Sequence, residues 1–324
     1  MNCVLILRLT RGGPLYTFEV AGQLNILVGN QQRDVAPFLE SSDLLPSPAR
    51  LRARALEDGY LFFRDLVSND SILLLRRDVT RILYDVGWLN DGTDPMDAIS
   101  TVEAKLSGTP EFTPIYDTIQ RLESFHTMAH NPELLAVAER LFGEPAMPQP
   151  STIARVMFPG RLDVTTPPHQ DFVLVQGTPE VWTCWIPLGA LPHAMGGLAV
   201  LRGSHLRGVL PFFEAKGAGG LSIDPSFLDG EWFSNPFQLG DALFFHSKTA
   251  HQGLPNVSGN RIRLSVDYRY PKNTDLIMEM NLGVHQGRLT WKEVYQTWES
   301  KQFQYFWEGY DRESTPRVPP KEFR

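Results

Sequence analysis

Residues 240–270 read "GDALFFHSKTAHQGLPNVSGNRIRLSVDYRY". Two apolar runs in it, "DALFFHS" and "IRLSVDYRY", are short, rich in aromatic and β-branched residues, and bounded by Gly, Pro or Asn, which predicts strands. Two histidines, His246 and His251, fall between or at the end of these runs. Arg261, Arg263 and Arg269 recur at odd positions, so on a strand they share one face.

The same grammar extends upstream to Gly143. "TIARVMFPG", "DFVLVQG", "VWTCWIPLG" and "GLAVLRGSH" repeat it, and no helical pattern intervenes. A series of such strands predicts an antiparallel barrel or sandwich. Within it, "TPPHQDFVLV" at 166–175 places His169 and Asp171 two residues apart, on one face of a strand, with Gln170 turned away. Two ligands do not complete a metal site, so a third must come from another strand. Two His and one carboxylate on one side of an ion, with other positions open, is the facial triad of non-haem Fe(II) oxygenases. An isolated His-x-Asp is a weak signal. At this level either His246 or His251 can supply the third ligand.

The first half of the chain is different. Residues 3–28 read as short strands separated by "RGG" and "AG". From Pro46 to Trp88 the apolar spacing is helical, in "SPARLRARALEDG" and "NDSILLLRRDVTRILYDVGW", with "YLFFRDLV" as one strand between them. In the second helix Asn69 or Asp70 can cap, and Ile72, Leu75, Val79, Ile82 and Leu83 form the stripe. After the loop "NDGTDPMDAIS", helices are predicted from about Thr113 to Ala129 and from Pro132 to Phe142, the second opened by "NPE". Near the end, "LTWKEVYQTWESKQFQYFW" places Trp291, Val294, Tyr295 and Trp298 on one helical face, predicting a C-terminal helix packed on the barrel.

Composition narrows the function classes. A chain of 324 residues buries a full core, and 42% hydrophobic with 21% charged residues is ordinary for a globular protein. The 25 prolines favour turns and short strands. The net charge is −7 with both signs interspersed, so the basic footprint that nucleic acid needs is missing. Cys3 and Cys184 are too few for a disulfide framework and point to a reducing, cytoplasmic setting. The run Cys3 to Leu7 is broken by Arg8 and falls short of the ~7–15 apolar residues of a signal peptide or the ~20 of a membrane span, so no membrane association is expected.

Taken in order, the motifs are His169-Gln170-Asp171, then Trp185-Ile186-Pro187-Leu188, Gly196-Gly197-Leu198 through Gly203-Ser204-His205, Gly240-Asp241, His251 followed by Gly253 and Asn256, and Arg263. This series, over roughly 150–271, resembles the phytanoyl-CoA dioxygenase family of Fe(II)/2-oxoglutarate oxygenases. The resemblance implies an α+β fold with a double-stranded β-helix (jelly-roll, cupin-like) core, flanked by helices from the N-terminal half and a C-terminal helix. It implies one oxygenase domain over 1–324: an N-terminal β extension at 1–40, mainly helical support at 41–145, a jelly-roll core at 146–275 carrying a lid insertion at 206–239, and a helical tail at 276–324.

It further implies Fe(II) held by His169, Asp171 and His251, since "HQGLPN" after His251 matches the family's turn after its distal ligand. The cosubstrate would be 2-oxoglutarate, with O2 as oxidant and succinate and CO2 as co-products. Its distal carboxylate calls for a guanidinium. Arg263 with Ser265 is preferred because Arg263-Leu264-Ser265 resembles the Arg-x-Ser pair of several such enzymes, and Arg261 is the alternative. With Asp171 present a halide position is not expected, which favours hydroxylation of a small-molecule metabolite over chlorination. A monomer or homodimer is expected.

Other motifs carry less. His126 and His130 are four apart, but no Glu follows the first, so the zinc-protease pattern fails. "KGAGG" lacks the Lys-Ser/Thr of a phosphate loop. His205 reads as a turn residue, His193 and His285 as surface positions, Arg155 as a pocket residue, and Trp182 and Thr183 as lining.

Overall fold

The computed structural model describes residues 17–20, 23–28, 31–161 and 165–323. The expected strands before Thr17 lie outside the described residues. Strands β1 (Thr17–Val20), β2 (Gln23–Val28) and β3 (Gln31–Ala36) form an antiparallel meander, followed by α1 (Pro48–Asp58), β4 (Tyr60–Phe63) and α2 (Asn69–Asp85). Next come α3 (Thr113–Ile119), α4 (Glu123–Thr127), α5 (Pro132–Phe142), β5 (Ile153–Met157) and α6 (Phe172–Val175). The remaining strands are β6 (Trp182–Pro187), β7 (Leu198–Leu201), β8 (Phe212–Glu214), β9 (Leu221–Ile223), β10 (Trp232–Phe233), β11 (Ala242–His246), β12 (His251–Gly253), β13 (Arg263–Tyr270) and β14 (Ile277–Met278). A single turn, α7 (Trp291–Val294), and the short β15 (Ser314–Thr315) complete the order.

Two sheets make a double-stranded β-helix. One runs β4-β11-β6-β13-β5 and the other β1-β2-β3-β10-β7-β12; within the second, a parallel pair at β3–β10 attaches the N-terminal meander. Alternation explains how they stack. Along β13, Leu264, Val266, Tyr268 and Tyr270 join a cluster with helix residues such as Leu75, Val79, Leu134 and Val137, while Arg263, Ser265, Asp267 and Arg269 take the opposite face. Between the sheets, Phe62, Trp185, Val200, Phe233 and Phe245 belong to one buried cluster drawn from both.

The helices behave as capping chemistry dictates. The Asn131 side chain accepts from the backbone N–H of Glu133 and Leu134, Pro132 fills the first helical position, and Gly143 ends α5 at φ 71°. In α2 the stripe Ile72, Leu75, Val79 and Leu83 is buried as expected, but the cap residue is Ser68, without a side-chain capping bond. Truncating one such residue, Leu75→Ala, would cost about 2–5 kcal/mol.

Three expectations fail locally. "FVLV" is one turn of helix, because Leu174 and Val175 both donate to the Asp171 carbonyl, and a short buried apolar run does not distinguish strand from helix. The helix expected over 113–129 breaks at Leu122, whose backbone is extended. The C-terminal helix is also replaced. Thr290 and Glu293 start it with a capping box, yet Trp298 is extended and the rest runs as short 3-10 turns. There the aromatic side chains pack against His126 and His130 of the α4 region in place of a helix face against the barrel.

Candidate metal centre

His169 and His251 meet by backbone pairing. Each donates its N–H to the other's carbonyl, at 2.9 and 3.0 Å, so His169 adds one bridge to the edge at β12. Their rings lie 4.2 Å apart. Each ring also bonds through Nδ1 to the backbone carbonyl two residues before it, Pro167 and Thr249, both at 2.9 Å. A carbonyl only accepts, so Nδ1 carries the hydrogen in both rings, and in the neutral imidazole that leaves the lone pair on Nε2.

Asp171 arrives by a different device. It stands in helical conformation at the start of α6, where the N–H of Phe172 is held by the Ser247 carbonyl at 2.8 Å. Its Oδ2 accepts from Thr183 Oγ1 at 2.7 Å and from Arg269 Nε and Nη2 at 3.3 Å. That leaves Oδ1 facing the two imidazoles, 3.5 Å from His169 Nε2 and 3.9 Å from His251 Nε2. Burial alone would raise the Asp171 carboxyl, but the Arg269 guanidinium and the adjoining histidines hold it well below the usual range. Burial, reinforced by the neighbouring His169, pushes the His251 imidazole down to about 3. The site is therefore an anionic carboxylate beside two imidazoles, with their ligand atoms within 4.8 Å of one another.

A pocket with about 330 Å³ of empty space opens on this triad. Its apolar walls are Trp185, Leu198 and Phe245, and Arg155, Arg263 and Asp267 are its charged ones. Arg155 and Asp267 are paired, at 2.6 Å. Arg263 is different: it is 1% exposed, its Nη1 reaches only the carbonyls of Gly196 and Gly197, and Nη2 touches Met157 Sδ. No carboxylate among the described residues forms an ion pair with it, Nε has no partner, and burial lowers it to about 9. Gly196 is required there, since at φ 67° a Cβ would collide with the Leu254 carbonyl.

The strand face explains what the sequence showed and missed. Arg263, Ser265, Asp267 and Arg269 alternate inward on β13, and Ser265 Oγ and Asp267 Oδ1 also lack partners. Arg261 precedes the strand and is exposed. Arg269 grips Asp171 in place of a free anion, and Asp267 was not singled out, although the period of two starting at Arg263 reaches both. His246 is buried beside Trp182 and stands apart from the triad. His285 is half-buried, contrary to its surface reading. Its Nδ1 lies 2.6 Å from Tyr116 Oη, and burial pushes it down to about 3. Gln170, turned away from the triad, fixes the start of the 206–239 segment by bonding the Gly208 carbonyl and the Leu210 N–H.

Two facing sheets that bring a buried His-Asp-His set to the head of a pocket define an oxidoreductase of the non-haem iron oxygenase class. The chain belongs to the phytanoyl-CoA dioxygenase family, whose model, Phytanoyl-CoA dioxygenase (PhyH), matches residues 55–265. It is similar to the 1-deoxypentalenic acid 11-beta-hydroxylases of Streptomyces exfoliatus and Streptomyces arenae. The first is 26% identical over 72% of this chain and 85% of the relative, the second 27% identical over 66% and 77%. Among solved structures, a non-heme alpha ketoglutarate dependent epimerase from nogalamycin biosynthesis is similar at 21% identity and a TM-score of 0.49, covering 71% of this chain and 84% of that one.

Fe(II), 2-oxoglutarate and O2 are thus the cofactor and cosubstrates of this 2-oxoglutarate-dependent oxygenase. The residues present fit them. Two Nε2 lone pairs and one carboxylate oxygen share a focus, and a buried guanidinium without a carboxylate partner lies in the same pocket. Among the described residues no helix is long and apolar enough to cross a membrane.

Proposed function

We propose that the protein hydroxylates an unactivated C–H bond of a small-molecule metabolite, releasing succinate and CO2 from 2-oxoglutarate. In this reading His169, Asp171 and His251 hold the iron, and Arg263, assisted by the Ser265 hydroxyl, receives the distal carboxylate of the cosubstrate. The observation that carries it is the pairing of the triad with Arg263. A fully buried guanidinium lacking a carboxylate partner is costly unless an anion joins it, and 2-oxoglutarate brings one.

When bound, the iron and its cosubstrate supply the oxidising chemistry. The protein's part is binding, orientation and exclusion of water. The backbone pair between His169 and His251 fixes two ligands together, and the Pro167 and Thr249 carbonyls select the Nδ1–H tautomer and orient both rings with Nε2 toward the focus. Thr183 and Arg269 hold Asp171 charged and rotated so that Oδ1 faces the histidines. Trp185, Leu198 and Phe245 give the pocket walls that carry no charge.

The β8–β9 hairpin supplies a cover. The Ile223 N–H bonds the Pro168 carbonyl next to His169, and Gly217 at its tip lies against Thr165 and Pro167. The named activity of the two Streptomyces relatives, 11-beta-hydroxylation of 1-deoxypentalenic acid, supports C–H hydroxylation over other outcomes. The test is anaerobic addition of Fe(II) and 2-oxoglutarate, read as a visible charge-transfer band, followed by O2 and quantitation of succinate. Wild type should give both and Asp171→Ala neither. Metal binding with no 2-oxoglutarate-dependent band and no succinate would overturn the assignment in favour of a metalloprotein that does not use this cosubstrate.

A further inference from the structure

Arg155, Asp171, Arg263 and Asp267 stand in the walls of the triad pocket, and Arg269 lies directly behind Asp171. Resting on the iron and cosubstrate sites assigned above, we propose that the substrate is a monoanion, a small carboxylic acid in its ionised form, and that Arg155 receives its carboxylate.

Three guanidiniums face two carboxylates, so the described residues of the pocket carry one positive charge in excess. Iron(II) brings two positive charges and 2-oxoglutarate two negative ones, which leaves that excess unchanged when both are bound. A charge without a counter-ion in a site closed to water is costly. A substrate with one negative charge cancels it, and a neutral substrate does not.

Of these five side chains, Arg155 is the one a ligand can reach. It is 23% exposed, whereas the other four lie between 1% and 8%. Asp267 holds it through a single oxygen, Oδ2, which accepts from Nε at 2.9 Å and from Nη2 at 2.6 Å. Nη1 has no partner among the described residues and, unlike Arg263 Nε, is not shut off from solvent. A guanidinium clamped along one edge presents the remaining one in a fixed direction, which suits the planar oxygens of a carboxylate.

The sheet sets where that edge stands. Arg155 on β5 is opposite Ser265 on β13, and Asp267, two residues further along β13, is opposite Trp185 on β6. Arg155 is therefore a neighbour of the residues assigned to the cosubstrate and one strand removed from the apolar wall. An acid held there by its charged end directs its apolar remainder to Trp185, Leu198 and Phe245, which line the same pocket as the triad.

The probes are cyclohexanecarboxylate and cyclohexanecarboxamide, which share a body and differ in charge. Saturation-transfer NMR on the full chain, loaded with Zn(II) and saturating 2-oxoglutarate, should show the carboxylate binding at millimolar concentration or tighter. The amide should bind about tenfold or more weakly, as for loss of a charge-assisted hydrogen bond. Arg155→Gln should bring the carboxylate down to the level of the amide while keeping the charge-transfer band with Fe(II) and 2-oxoglutarate, and Arg155→Lys should restore part of the preference. The two probes on the unaltered chain decide the matter even if a variant fails to fold. Equal binding of both probes, binding of neither, displacement of 2-oxoglutarate by the carboxylate, or loss of the band in a folded Arg155→Gln overturns the proposal while leaving the oxygenase reading intact. Absence of the band in wild type overturns both.

Discussion

Arg263 and Arg269 are six residues apart on one strand face and do opposite things. Arg269 is neutralised by a protein carboxylate, whereas Arg263 is not. Replacing Arg263 with Met removes an uncompensated buried charge, so the melting temperature should hold or rise. The same change should weaken 2-oxoglutarate binding by about 3 kcal/mol, roughly two orders of magnitude, as for loss of a buried charged partner. Calorimetric titration beside a thermal melt reads both, and a parallel loss of fold and affinity would refute the assignment. Arg269→Met acts on the metal: Asp171 keeps Thr183 but loses its cation, and Fe(II) affinity should fall about 10–100-fold, with 2-oxoglutarate affinity for the loaded enzyme little changed.

His126 gives a pH prediction away from the site. Burial lowers it to about 4 from an ordinary ~6.5, so the unfolded chain binds its proton first as pH falls. The contribution is intact above about pH 6.5 and is lost progressively down to about pH 4, on the order of 3 kcal/mol. His126→Gln should flatten that part of the stability-versus-pH curve measured by denaturant titration.

At the scale of elements, α6 shows what a sequence withholds. The His-Gln-Asp motif was legible and its residues converge, but by another route than the expected strand face. His169 pairs with β12, and Asp171 turns into a helix whose end is held from the far side of the chain. Gln176 closes α6 at φ 52°, a strained value for a residue with a side chain. Its amide exchanges two hydrogen bonds with the Val318 backbone, at 2.6 and 2.8 Å, and Phe323 packs edge-on against Phe172.

No local pattern could announce a clamp 142 residues away in sequence. The strands of the barrel and α5 were readable because alternation, Gly and Pro boundaries and the Asn-Pro-Glu cap are local signals. The C-terminal segment was not, because its aromatic spacing fits a helix equally well while the groove near His130 takes the rings instead. Gln176→Ala should lower stability by about 1–3 kcal/mol through two lost bonds in a part-buried setting. It should also weaken Fe(II) binding several-fold by loosening Asp171. A chain ending at Pro316, tested beside it, should show the same weakened metal binding without further effect from Gln176→Ala, since the two changes remove one interaction.

For the whole molecule, the sources of the site residues matter more than their distances. His169 and His251 stand at the edge of one sheet, whereas Thr183, Arg263 and Arg269, which anchor Asp171 and the pocket, stand on the other. An ion bound by the triad would therefore tie the two layers together across the apolar cluster between them, which includes Trp185, Val200 and Phe245. Ligand held only by the folded chain stabilises by RT ln(1 + [L]/Kd), about 2.7 kcal/mol at one hundred times Kd. Metal at that excess should raise the melting temperature by several degrees, and a chelator should remove the gain. In Asp171→Ala the metal-dependent shift should vanish. In Arg263→Met it should survive, while the further shift from 2-oxoglutarate disappears. Hydrogen exchange should place the protection gained with metal on β6, β12 and β13 together. Protection confined to the loop around His169 would mean that the ion is gripped locally and the layers are independent of it.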